Sequence, residues 1–236
     1  MKKNKPKLTK SRINAWENCK RQYELQYLDE KEVDETPPAL KRGIEIHDML
    51  EEFYEPDVTT ISEAASILAR HPHAQKYSSD IKNFIEFNKN LSEDGDSLFR
   101  PELTEEWIKC EEINVTGILD ALWVDGDKRV MIDYKTGKTR KLDKYSFGMN
   151  LYVYLTKKTF PELSPTHWGI FFTKGNDLKM REVSQKGVAR SLAKVGRVRR
   201  EIRSYLEKKD GEGVFPKDPT YPCRYCQFYN VHCSGQ

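Results

Sequence analysis

The sequence predicts an α/β protein: a central mixed β-sheet flanked by helices. Three observations predict it. Runs 114–124, 129–134, 166–173 and 178–183 are short and β-rich, and they are set among longer segments with a helical apolar period. Asp125-Gly126-Asp127, between the first two runs, is a hairpin signal. The segment 145–158, helical in pattern, separates the second run from the third.

In chain order, Ser11 is placed to cap a first helix carrying Ile13, Trp16, Tyr23 and Tyr27, with Cys19 on its course. Thr36-Pro37-Pro38 interrupts, and 39–54 reads as a helix with Leu40, Ile44, His47 and Leu50 on one stripe, so that His47 points inward. Segments 62–70 and 74–90 read as further helices, and the polar stretch 92–97 as a loop. After the strands, 186–209 is a long amphipathic helix with an apolar stripe of Val188, Leu192, Val195, Val198, Ile202 and Tyr205. Periodicity then fades, and Pro216, Pro219 and Pro222 lead into a Cys-rich tail.

At 236 residues the chain is long enough to bury a sizeable core as one unit. A mean hydropathy of −0.78 with 33% charged residues marks a soluble protein, and 37% hydrophobic residues, including twelve Tyr, ten Phe and four Trp, exclude disorder. No run of ~18 apolar residues suggests a transmembrane helix. The basic N-terminus lacks an apolar segment behind it, so a cytoplasmic location is expected, or the host cytoplasm for a phage protein. The net charge is only +3, but cations concentrate in the first twelve residues and in 186–209, which favours a polyanionic partner. Five Cys without an export signal point to a metal site or free thiols, not to disulfides.

The stretch 130–138, VMIDYKTGK, holds the most specific chemistry. Residues i and i+2 of a strand share a face, so Asp133 and Lys135 project together while Tyr134 points away. Asp120 on the neighbouring arm reaches the same end of the sheet. Two carboxylates suit Mg²⁺ or Mn²⁺, and a lysine beside them positions a water or offsets charge on a phosphate. An isolated D-x-K is common at the ends of hairpins, so the surroundings decide. Gly117-Ile-Leu-Asp120, the hairpin, Ile132-Asp133-Tyr-Lys135-Thr-Gly137 and a following helix with Asn150 and Tyr154, together with His47 in GIEIHDMLE, resemble the PD-(D/E)XK nuclease superfamily, in particular its RecB-like branch. The resemblance implies a restriction-endonuclease-like core in which His47, Asp120, Asp133 and the Tyr134 carbonyl hold the divalent metal and Lys135 is the catalytic lysine. Where that branch has Q-x-x-x-Y, this chain has Asn150 and Tyr154, which would contact DNA. Glu102, Glu105 and Glu106 are the candidates for an additional acid. By itself, His47 reads better as a hydrogen-bonded core histidine; Asp120 and Asp133 turn the balance to a metal ligand.

Cys223-x-x-Cys226 and Cys233 supply three thiols, one short of a closed site. Cys19 in SRINAWENC, with the tail PCRYC, is similar to the AddB-type and CRISPR adaptation exonuclease proteins, and this implies a 4Fe-4S cluster joining the two ends of the chain; zinc is the alternative. Cys110 lies outside the pattern. The implied organisation is a single nuclease domain over 1–236, with an iron-sulfur subdomain of 10–35 and 216–236, a helical region over 36–98 and a nuclease core over 99–210. Arg197 and Arg200 of the basic helix are expected to meet phosphates, and Tyr23, Tyr27 and Phe228 are candidates for stacking on bases. The expected activity is Mg²⁺- or Mn²⁺-dependent exonuclease action on single-stranded DNA or overhangs, in repair, recombination, phage replication or CRISPR adaptation. No G-x-x-x-x-G-K-[ST] is present, so a helicase, recombination or CRISPR adaptation partner would open a duplex. The rival readings are a DNA-binding module with a silent nuclease site and a zinc-stabilised interaction domain.

Overall fold

A computed structural model describes residues 7–33, 36–209, 215–218, 220, 223, 226–229 and 231–233. Five strands, β1 (Leu103–Cys110), β2 (Val115–Asp125), β3 (Lys128–Lys135), β4 (His167–Phe172) and β5 (Asp177–Glu182), form one sheet in sequence order. β3 and β4 are parallel and every other pair is antiparallel, so the sheet is mixed as expected. Asp125 pairs with Lys128, which leaves a two-residue loop. Gly126 takes φ +54 there, the backbone that a tight hairpin demands at its first loop position.

Each face of the sheet has its own core. On one lie α3 (Pro38–Glu52), α4 (Ile61–Arg70) and α5 (Ser78–Leu91), packed on Ala121, Trp123, Ile132, Tyr134 and Phe171. On the other lie α1 (Lys10–Asn18), α6 (Ser146–Thr159) and α7 (Gln185–Lys209), packed with Leu119, Leu122, Met131, Trp168 and Ile170. Ile13, Trp16 and Tyr23 belong to this second core, and the Trp16 indole donates to Glu201 of α7 at 2.8 Å. No helix among the described residues is long and apolar enough to cross a membrane.

Three local expectations are corrected. The first helix is two: Cys19 is extended (φ −163, ψ 120) and separates α1 from α2 (Lys20–Tyr27). Its N-cap is Thr9, whose hydroxyl accepts the Arg12 N–H at 3.1 Å, and not Ser11. On α3 the buried face is Ile46, Met49 and Leu50, while Leu40 and Ile44 stand half exposed. The strand that carries the candidate glutamates takes definite bounds as β1, Leu103–Cys110, of which only Ile108 and Cys110 are buried.

Candidate active site at the parting of two strands

β2 and β3 stay paired from the hairpin to Ala121 and Ile132 and then separate. At the separation the Asp120 carboxylate accepts the Tyr134 N–H at 2.7 Å, a side chain replacing a ladder bond. Leu119 packs into the α6–α7 core and Ala121, two residues on, into the α3–α5 core. Alternation therefore slips at Asp120, the kind of irregular step that re-aims a side chain. On β1, Glu105 is left-handed (φ 49) and drops out of the register between the pairs Thr104–Ala121 and Glu106–Leu119.

Those two irregular residues meet His47 of α3. Their ligand atoms all lie within 4.8 Å of one another, and His47 Nδ1 is 3.8 Å from both Glu105 Oε1 and Asp120 Oδ2. Such gaps are too long for hydrogen bonds but suit atoms sharing one small ion. Arg42 fixes α3 to the end of β3, donating to the Thr136 carbonyl at 3.2 Å while pairing with Asp80 at 2.6 Å.

Asp133 is 3% exposed and is held by two lysines. Lys10 Nζ stands 3.1 Å from its Oδ1, and the Lys135 ammonium pairs with Oδ2. The Lys10 stem runs over Gly148, where a Cβ would come within 2.5 Å of it, and its ammonium sits 4.5 Å above the Tyr152 ring. Lys135 also donates to the Tyr134 carbonyl at 2.9 Å, and His47 Nε2 lies 3.2 Å from the same oxygen. The carbonyl expected to ligate metal is thus where His47 and Lys135 converge.

The two aspartates sit in opposite electrostatic settings. Burial pushes both up, but Lys10 and Lys135 outweigh it at Asp133 and hold that carboxyl below the usual range. Asp120, with the Asp133 charge added to burial, is pushed up to about 6. At His47 burial opposes protonation, yet Glu105 and Asp120 overcome it and raise its pKa. Asp120, Glu105 and His47 therefore form a centre short of positive charge. Oxygen and imidazole donors of that kind fit a hard divalent ion such as Mg²⁺ or Mn²⁺.

The remaining expected residues are dispersed. Lys10, Asp133 and Lys135 line a cleft of about 280 Å³ with Asn14, Lys144 and Tyr145. It adjoins another of about 380 Å³ across Phe147 and Lys194, and Asn150 lines this second cleft with Arg181, Lys186 and Arg190. Asn150 Nδ2 donates to the Ser146 carbonyl at 2.7 Å, while its buried Oδ1 accepts no hydrogen bond. Tyr154 lies elsewhere, under Lys158 at 5.8 Å and beside a third cleft with Val188 and Leu192. Arg197 is engaged by Glu17 and Glu201, each at 3.0 Å, and Arg200 is exposed. Tyr23 and Phe228 are buried and Tyr27 lies beneath Arg12 at 4.8 Å, so Tyr23 and Phe228 have no face free for a base. Sequence reading missed Lys10, which sits 123 positions from its partner and carries no local signal.

Cys226 has the other three thiols of the expected set in its electrostatic neighbourhood. Burial and the neighbouring Cys19, Cys233 and Cys223 raise the pKa of Cys226. The ends of the chain meet through Arg21 N–H to the Pro216 carbonyl at 3.2 Å and through His232 Nε2, 2.8 Å from the Glu32 carbonyl. Cys110 is buried in the sheet core, apart from them.

The parted strands with their acids and lysine place the chain among nucleases. More narrowly, it belongs to the PD-(D/E)XK nuclease superfamily, whose family model matches residues 7–233. The crystal structure of a candidate exonuclease from Eubacterium rectale aligns over 98% of this chain and 91% of its own, with a TM-score of 0.56 and 12% identity, a likeness of fold. The crystal structure of SSO0001 aligns over 95% of each chain at 14% identity, with a TM-score of 0.31, too low to carry an argument. No curated protein matches the sequence.

Proposed function

We propose that the protein is a Mg²⁺- or Mn²⁺-dependent deoxyribonuclease that trims single-stranded DNA or overhangs from an end. The observation that carries this reading is the division of labour at the strand parting. Asp133 is paired with Lys10 and Lys135, while the ligand atoms of Asp120, Glu105 and His47 converge within 4.8 Å of one another.

His47, Asp120 and Glu105 would hold the ion, with Asp133 beside them. Once bound, it supplies Lewis-acid stabilisation of the phosphate and lowers the pKa of water. Lys135 orients a water or a phosphate oxygen at its Nζ and offsets the charge that grows as the phosphorus–oxygen bond breaks. The clefts lined by Lys144, Lys194, Lys186 and Arg190 give a strand a cationic bed. Cys19, Cys223, Cys226 and Cys233 would carry a 4Fe-4S cluster that ties the tail to α1 and α2, and the contacts that join the tail to α2 and to Glu32 support it. DNA repair, recombination, phage replication and CRISPR adaptation are the settings that use such an activity, with a helicase or recombination partner supplying opened strands.

The test is cleavage of single-stranded and duplex DNA, labelled at either end, by anaerobically purified protein. Metal-dependent ladders from one end, lost in Asp133→Ala and Lys135→Ala, support the reading. Binding without cleavage under either metal overturns it.

A further inference from the structure

All four tryptophans of the chain are described, and three are buried: Trp16 and Trp168 are 1% exposed and Trp123 is 3%. Trp107 is 61% exposed. Nothing in folding calls for so large an apolar side chain in water on an edge strand, where charge is the usual protection against pairing with other chains.

Its surroundings single it out further. Trp107 is two residues beyond Glu105 on β1, and its cross-strand partner Ile118, 38% exposed, is two residues before Asp120 on β2. Ile44, half exposed, is one helical turn before His47 on α3. Each member of the His47–Glu105–Asp120 group thus has an exposed apolar neighbour one step along its own element. The even-numbered neighbours Ile108 and Cys110 pack into the α6–α7 core, so Trp107 stands on the opposite face of the sheet, the face covered by α3, the helix of His47.

We propose that Trp107, with its cross-strand partner Ile118 beside it and Ile44 exposed near the same group, is a stacking platform for the bases of a single strand whose phosphate lies at the His47–Glu105–Asp120 group. The proposal rests on the nuclease reading and adds where the bases next to the cut are held. A nucleobase suits the site because it offers a flat, uncharged face to an indole, and only an unpaired strand can present one sideways. A protein partner fits poorly, since three side chains fall far short of the ~800 Å² per partner of a stable interface. Stacking tolerates any base, so the platform selects strandedness and not sequence.

The experiment uses the full-length protein with Ca²⁺ in place of Mg²⁺, titrated with a thymidylate 12-mer and with an abasic 12-mer of the same backbone, and read by tryptophan emission. In wild type the thymidylate strand should quench the exposed tryptophan and bind about tenfold more tightly than the abasic strand. Trp107→Ala should lose the quench and that tenfold preference, while binding the abasic strand as before; Trp107→Phe should recover most of the preference. Equal binding of thymidylate by wild type and Trp107→Ala overturns the proposal, as does an equal loss on both strands or a change in oligomeric state alone. The nuclease reading fails separately: absence of cleavage with both Mg²⁺ and Mn²⁺ sinks it even where the stacking signature is present.

Discussion

Lys10 Nζ and Asp133 Oδ1 are 3.1 Å apart although 123 positions separate the residues. One short pair joins the start of α1 to the end of β3, and through them the N-terminal segment to the candidate active site.

The first prediction concerns that pair. Lys10→Met keeps the stem over Gly148 but removes one of two cations from a buried carboxylate, which should cost about 1–3 kcal/mol at neutral pH. The folded pKa of Asp133 is depressed, so its stabilisation is complete above the unfolded value near 4 and fades as pH falls toward the folded one. Denaturant melts of wild type and Lys10→Met should therefore differ at pH 7, and the difference should begin to shrink only as pH falls below about 4. Parallel curves over the whole range would show that Lys10 contributes packing only.

Asp120 behaves in the opposite sense. Its folded pKa of about 6 exceeds the ordinary 3.8, so stability is complete below about 4 and is lost as pH rises through 6. His47, also raised, loses its share in the same direction. A divalent ion supplies the missing charge, so Mg²⁺ or Mn²⁺ should raise Tm more at pH 7.5 than at pH 5. Thermal melts with and without ion check this, and Asp120→Asn should abolish most of the difference.

Among the three glutamates left open by the sequence, only Glu105 meets His47 and Asp120. Glu105→Gln should weaken Mn²⁺ binding by about 10–100-fold, whereas Glu102→Gln and Glu106→Gln should stay within about twofold. Electron paramagnetic titration of Mn²⁺ measures all three without reference to activity.

For the thiols, the proposed 4Fe-4S cluster predicts brown wild-type protein, and Cys19→Ser should then remove the absorbance near ~400 nm along with iron and sulfide, and lower Tm by several degrees, about 1–3 kcal/mol in a chain of this size. The Asp133–Lys135 centre takes no group from the cysteines. Colourless wild-type protein containing zinc would replace the cluster with zinc.

The candidate triplet Asp133-Tyr134-Lys135 was legible because strand alternation puts Asp133 and Lys135 on one face of a strand that a tight turn at Gly126 opens. The bounds of β1 were not legible, because an edge strand with only Ile108 and Cys110 buried, and with Glu106, Trp107 and Lys109 exposed, has no run of apolar residues. The break at Cys19 was hidden by a helical period that continues through it. Leu40 and Ile44 read as core because apolar residues one turn apart look alike whether they face a sheet or a groove. Nothing local could reveal Lys10, nor choose Glu105 over its neighbours, since the choice is made by backbone geometry at φ 49.

That left-handed glutamate has a price attached. A non-glycine residue in this conformation costs on the order of 1 kcal/mol, so Glu105→Gly should give a hardier protein with a poorer metal centre. The molecule carries tension at its working edge, and selection for thermal endurance alone would erode that edge first.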